Sequence, residues 1–226
     1  MTAITIEKDY LRVDGTRYLR EKSGNLELGS FGLRKGDAAQ RLVDLEIDGH
    51  LRCKYLHDDV LTVTAWPFDW ATQRREELDA QDSVKYFVLD SKAAVAGTYT
   101  DMEKAGLALV KVEIPGDTLK RILNHEDEEA REYLRKEGKD ARVVAEVWTF
   151  MESQMAETLA AADTYEVNAA PDNAGLELGV RDGAQDGESV VFSTGTIFAF
   201  SMHAVRQWNE SGVQVVDLAE DRVGLD

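Results

Sequence analysis

The stretch "RVVAEVWTFMESQMAETL … GLELGV … VVFSTGTIFAFSMHAVRQW", Arg142 to Trp208, decides the fold. It opens and closes on apolar segments around a turn region rich in Gly, Asn and Asp, Pro171 to Gly187. Leu176, Leu178 and Val180 alternate with Glu177, Gly179 and Arg181, and further on Phe198, Phe200, Met202 and Ala204 share one side. A period of two marks a half-buried strand, and equally a membrane-barrel strand with lipid outside and water inside. Between Val144 and Leu159 two periods compete. Val144, Val147, Trp148, Met151, Met155 and Leu159 form a helical stripe, which the propensities of Ala, Glu, Met, Gln and Leu favour. Val143, Ala145, Val147, Thr149 and Met151 form a strand face instead.

The remaining composition sets bounds. A chain of 226 residues with a 43% hydrophobic share holds an ordinary core, and is expected to be a single domain over 1–226. Three prolines argue against long disordered linkers, and a single cysteine, Cys53, excludes an internal disulfide framework. No charged-then-apolar leader and no run of eighteen apolar residues occurs, so neither a cleaved signal nor a spanning helix is expected. A net charge of −17 argues against nucleic acid as a partner. Residues 1–35 depart from that balance. There Lys8, Arg12, Arg17, Arg20, Lys22, Arg34 and Lys35 outnumber Glu7, Asp9, Asp14, Glu21 and Glu27. Two readings remain open for this segment, a mixed solvated surface or a cationic platform on an acidic body.

Taken in order, Thr2 to Leu19 alternates around Asp14-Gly15, a hairpin dipeptide. Tyr18 to Arg34 reads as a second hairpin over Ser23-Gly24-Asn25, and Gly36 to Ile47 as a short helix with Ala38, Leu42, Leu45 and Ile47 on one face. His50 to Trp70 is strand-like, and the charged Ala71 to Asp82 reads as a solvated loop or hairpin tip. Ser83 to Tyr99 reads as one strand longer than the usual five or six residues, with Phe87, Leu89, Ala93, Val95 and Tyr99 on one face. Leu107 to Ile114 is a strand stopped by Pro115-Gly116. Asp117 to Gly138 is the clearest helix, with Asn124-His125 as a point of division. The C-terminal "GVQVVDLAEDRVGLD" is a short strand and a polar tail.

Catalytic constellations are missing. The chain has no P-loop, no dinucleotide fingerprint, no GxSxG elbow and no HExxH. His50, Cys53, His57 and Asp58 are the nearest to a metal set, but a strand puts His50 and Cys53 on opposite faces and no second pair completes a tetrahedron. Cys53 as a nucleophile lacks an orienting third group. No enzyme activity, metal or cofactor is expected.

The order of parts resembles the pore-forming N-terminal domain of the gasdermins. "YLREKSGNLELGSFGLRKGDAAQRLVDLEIDG", Tyr18 to Gly49, is similar to the family's first hairpin and following helix. "LALVKVEIPGDTLKRILN", Leu107 to Asn124, resembles its strand and the helix after a proline. "GKDARVVAEVWTF", Gly138 to Phe150, and "STGTIFAFSMHAVRQW", Ser193 to Trp208, resemble two further strands. Gly195, Ile197, Ala199 and Phe200 carry the most specific match.

The resemblance implies an α+β fold, a twisted antiparallel sheet with flanking helices, able to refold into an oligomeric transmembrane β-barrel. Two hairpins would grow, one from Val60–Trp70 with Val84–Leu109, the other from Val143–Val167 with Leu176–Val191, turning over Pro171 to Asn173. Phe87, Leu89, Val95, Val147, Met151, Leu176 and Leu178 would lie in the inserting hairpins. Arg17, Arg20, Lys22, Arg34 and Lys35 would meet acidic headgroups. The implied partners are membrane phospholipids and further copies of this or a related chain, the chain being cytoplasmic when inactive and at the membrane when active. The family's leading helix, its C-terminal inhibitory domain and an N-terminal acylated cysteine have no counterpart in this sequence. The competing expectation is a soluble α+β module that binds a protein or small ligand.

Overall fold

The structure, a computed structural model, describes residues 2–20, 23–36, 44–56, 60–68, 74–75, 83–89, 93–170, 175–182 and 185–221. Its axis is β11 (Ala141–Glu152), a twelve-residue strand buried at every position but the last. A strand buried on both faces has no polar side to alternate with. Beyond the register shift between Val144 and Glu146 its residues instead divide two cores. Val147 and Met151 enter a large aliphatic cluster, while Trp148 and Phe150 enter a second one built from aromatic rings and β-branched residues.

Neighbours add on both edges of β11. One edge carries β4 (Ser30–Lys35) and then β10 (Leu107–Glu113), and β10 in turn pairs with β6 (Thr62–Pro67). The other edge carries β15 (Ala199–Trp208), whose far side takes β3 (Thr16–Leu19) and β16 (Val215–Asp221). A meander of β1 (Ile4–Ile6), β2 (Tyr10–Val13) and β3 extends the sheet, with β7 (Arg74–Arg75) parallel to β1. β4 forms a hairpin pair with β5 (Asp44–His50). Two small sheets stand apart, β8 (Ser83–Tyr86) with β9 (Val95–Thr98), and β12 (Tyr165–Ala169), β13 (Gly175–Asp182) and β14 (Gln185–Ser193) in that order. The result is a mixed α+β fold dominated by a curled, almost wholly antiparallel sheet.

Local chemistry explains the joints. The β2–β3 hairpin turns over Asp14 and Gly15 at φ 47° and 85°, the left-handed pair that a two-residue turn of the right twist needs. Helix α1 (Tyr99–Ala105) opens on a capping box between Thr98 and Asp101 and closes on Gly106 in the left-handed region. Helices α2 (Gly116–His125) and α3 (Glu128–Glu137) divide where Asp127 caps the second, its carboxylate accepting from the Ala130 N–H at 3.1 Å. The Asn124 amide clamps α2 to β16 by exchanging two hydrogen bonds with the Val215 backbone, at 2.9 and 2.8 Å.

Several expectations are corrected. Val144 to Leu159 is neither all helix nor all strand. β11 runs to Glu152 and α4 (Ser153–Ala160) begins at once. The β-branched residues Val143, Val144, Val147 and Thr149 lie in the strand half, and Ala156, Leu159 and Met155 in the helix half. Tyr18 to Arg34 is not a hairpin, because β3 pairs with β2 and β15 while β4 pairs with β5 and β11. Asp44 to Ile47 is strand, drawn into the sheet beside β4, and the rest of the expected short helix lies outside the described residues. Ser83 to Tyr99 folds back on itself as β8 and β9 rather than running on as one strand. Phe198 departs from its expected face. It precedes β15 and joins the aromatic core, whereas Phe200 and Met202 join the aliphatic one. Arg74–Arg75 pairs with β1, and the remainder of Ala71 to Asp82 lies outside the described residues, as do Lys22, His57, Asp58 and Pro171 to Asn173.

Candidate functional site

Four strands, β6–β10–β11–β15, form one ladder, and each adjacent pair in it is antiparallel. The chain leaves β6 at Pro67 and returns into β10 at Leu107, and it leaves β11 at Glu152 and returns into β15 at Ala199. The register brings these ends together: Ala108 lies opposite Pro67, Leu107 opposite Glu152, and Ala199 opposite Trp148. Both excursions therefore leave and return at the same end of the ladder. They span 39 residues (68–106) and 46 residues (153–198). A tilted barrel strand crosses a bilayer in about 9–11 residues, so each excursion is long enough for two crossings and a turn.

In the folded chain the described parts of both excursions are packed down. The first contains β7, β8, β9 and α1, and the second α4, β12, β13 and β14. Helix α4 lies against β6, β10 and β11 with Met155, Ala156 and Leu159 buried. Rings pin the excursions to the ladder and to each other. Phe68 and Phe198, at the two outer ends, both meet Phe150 of β11 edge to face, with centroids 5.0 and 4.7 Å away. Phe87 of the first excursion meets Phe192 of the second at 5.3 Å. Such pairs contribute about 0.5–1.5 kcal/mol beyond the area they bury.

The seven residues assigned to inserting hairpins have unequal surroundings. Phe87, Val147, Met151, Leu176 and Leu178 are in the aliphatic core, Leu89 packs against its margin, and Val95 is exposed. Phe87 bridges in parallel to Met151, its N–H donating to the Phe150 carbonyl at 2.9 Å. Leu89 donates its N–H to Glu152 Oε2 at 2.7 Å.

The cations assigned to headgroups occupy separate strands. Arg17 lies on β3 with its guanidinium 5.6 Å from the Tyr10 ring centroid. Arg20 donates to the Glu7 carbonyl at 2.8 Å and to the Tyr99 hydroxyl at 2.7 Å, and lies 4.4 Å over the Phe198 ring. Arg34 and Lys35 sit at the end of β4, beside Asp221 at 3.6 Å and Glu46 at 2.7 Å. Arg17 thus rests on a ring of the aliphatic core and Arg20 on a ring of the aromatic one, while Arg34 and Lys35 face different carboxylates, so the structure does not gather these four cations into one patch.

One functional candidate was not singled out by spacing. Glu146 is a buried acid in the middle of β11, directly after a register shift in the pairing with β15. Ser201 Oγ donates to its Oε2 at 3.3 Å, while Oε1 has no hydrogen-bond partner. Burial drives its pKa up to about 7; Lys111 opposes the rise, and Glu113 and Glu220 add to it. The buried indole N–H of Trp148, two residues on, forms no hydrogen bond. A lone acid in the run "VVAEVW" is the signal that marks it.

Among the described residues no group of three or more His, Cys, Asp or Glu side chains is arranged to hold a metal. His50 Nδ1 lies 3.1 Å from Ser30 Oγ and 3.8 Å from Glu27. Among the described residues no helix is long and apolar enough to cross a membrane, which says nothing about strands. Asn209 anchors its own loop, its Oδ1 accepting from the N–H groups of Val213 and Gln214 at 2.9 and 3.1 Å. Comparison of the chain with known protein families, with curated proteins and with solved structures finds no match.

Proposed function

We propose that the chain is a pore-forming protein of gasdermin type, which binds acidic membrane lipid, assembles with further copies and permeabilises the membrane. One observation carries the reading: the two long excursions leave one antiparallel four-strand ladder at the same end. Straightening each excursion into a hairpin prolongs all four strands in their existing pairing, with no strand reordered. The strand–helix junction at Glu152–Ser153 is the place where β11 would lengthen. Five of the seven residues assigned to the hairpins, Phe87, Val147, Met151, Leu176 and Leu178, are core residues before release, so those side chains stay out of water in both states, whereas Leu89 is half-buried and Val95 exposed. The consequence for a cell is regulated death, with the chain cytoplasmic until triggered.

The test is dye release from vesicles containing acidic lipid, with negative-stain microscopy of the same vesicles. Wild-type protein is expected to leak dye and form rings. Leu89→Asp, at a half-buried site, is expected to remain folded by circular dichroism and to lose leakage. A chain that stays monomeric beside every vesicle composition, with no gain of β structure, is instead a soluble binding module.

A further inference from the structure

Beside the middle of the first excursion and the end of the second lies a cavity of about 220 Å³. Cations reach it from three separate parts of the fold: Lys8 from the β1–β2 turn, Arg20 from just after β3, and Lys85 from β8. Gly195 and Thr196, from the last turn of the second excursion, close another side. In a chain of net charge −17 this convergence runs against the overall field. Screening within about 8–10 Å lets the local charge dominate at physiological salt.

Two of the three cations carry charge that nothing described offsets. Lys85 donates to the Thr194 carbonyl, a neutral acceptor, and among the described residues neither Lys8 nor Lys85 forms an ion pair with a carboxylate. The guanidinium of Arg20 is held in place by the Glu7 carbonyl and the Tyr99 hydroxyl and rests on the Phe198 ring. The turn is shaped for Lys85 as well. Gly195 has φ +83°, and a Cβ there would sit 3.1 Å from Lys85 Nζ. Three convergent positive groups repel one another, and an anion placed among them removes that repulsion while gaining charge-assisted hydrogen bonds. The volume falls below the 300 Å³ at which pockets for drug-sized ligands begin, so the occupant is small.

We infer that this cavity binds a phosphate-class anion, a phosphomonoester or free phosphate, held by Lys8, Arg20 and Lys85. The anion would tie the β1–β3 meander to both excursions at once, since Lys85 belongs to the first and Gly195 to the second. Binding only the folded monomer, it stabilises that state by mass action.

Calorimetric and thermal titrations of the whole chain with inorganic phosphate and pyrophosphate, at constant ionic strength, test this. Saturable binding with a rise in Tm is expected. Lys85→Gln and Lys8→Gln should each weaken it at least tenfold, while Lys136→Gln, at an exposed site on α3, leaves it unchanged. Glutamine at 85 retains a donor for the Thr194 carbonyl, and circular dichroism checks that each variant folds. Flotation with phosphatidic acid vesicles against phosphatidylcholine vesicles separates the sources. Vesicle capture that phosphate competes away and Lys85→Gln abolishes identifies a lipid headgroup; phosphate binding with vesicle capture unaffected by Lys85→Gln identifies a soluble ligand. The inference is overturned if neither phosphate nor pyrophosphate binds and vesicle capture is unchanged in the Lys8 and Lys85 variants, or if Lys136→Gln weakens binding as much as they do. Failure of dye release, with the titrations intact, would sink the pore reading and leave the cavity's ligand standing.

Discussion

Replacing Glu146 by Gln should stabilise the protein in a strongly pH-dependent way. The folded chain holds this carboxyl at a pKa of about 7 against an ordinary 4.5, mainly because β11 buries it. Between those pH values the unfolded chain has released its proton and the folded chain has not. Stability therefore falls as pH rises from about 4.5 to about 7. Above that range the full penalty is present, about 3 kcal/mol for the gap between the two values. Glutamine keeps an oxygen for Ser201 Oγ and presents an amide, in place of a charge, to the field of Glu113 and Glu220. The variant should match wild type near pH 4.5 and exceed it by about 3 kcal/mol at pH 8. For a chain of 226 residues that is about 6–12 °C in Tm. Thermal melts of both proteins at half-unit steps from pH 4.5 to 8.5 provide the comparison, because carboxylates elsewhere contribute equally to both. A Tm difference that does not change with pH, or a variant less stable at pH 8, would refute the assignment of a protonated, half-satisfied acid in the central strand.

Three further outcomes follow from packing and backbone geometry. Phe198→Ala removes the ring that meets both Phe150 and Arg20, and should cost about 3–5 kcal/mol by urea denaturation. If these rings pin the excursions, the variant should also leak dye faster at equal concentration, and slower leakage counts against that role. Gly195→Ala forces a left-handed residue at φ +83° and should lower stability by about 1–2 kcal/mol, read as a drop in Tm. Asp127→Ala deletes the cap of α3 and the acceptor of the Arg52 N–H; a loss of about 1–2 kcal/mol with an unchanged denaturant slope is expected.

What could be read in the residues depended on how far their neighbours are local. The Asp14-Gly15 hairpin, the strand Leu107–Glu113, the divided helix pair and the strand at Val215–Asp221 all carry their cause within a few positions. β11 does not. Both its faces are buried, in the two cores, so its apolar residues follow no single period, and a helix stripe could be drawn through it. Ser83 to Tyr99 alternates well enough for one strand, yet β8 and β9 pair with each other and α1 takes over at the Thr98 cap. β3 and β4 looked like neighbours because they are close in sequence, but long-range pairing with β15 and β11 separates them. The cavity cations were the least legible. Lys8 and Lys85 are 77 positions apart and share no motif with Arg20. Only the fold makes them neighbours.

The ladder also bears on why a single copy would be insufficient. Among the described residues β6 pairs on one side only, with β10, so its other edge is open beyond Thr62–Pro67. In water an open edge of six residues ending in proline is tolerable, since solvent satisfies its backbone groups. Prolonged by about ten residues across hydrocarbon, the same edge would leave several N–H and C=O groups unpaired, each costing several kcal/mol. The edge at the other side of a lengthened ladder faces the same penalty. Pairing one chain's β6 edge with the opposite edge of the next removes both costs and repeats until the wall closes. If the chain inserts as proposed, insertion and assembly would be a single event for this topology, and dye release should rise more steeply than in proportion to protein concentration. Leakage proportional to concentration down to the lowest doses, without rings, would mean that isolated chains breach the bilayer by some other arrangement.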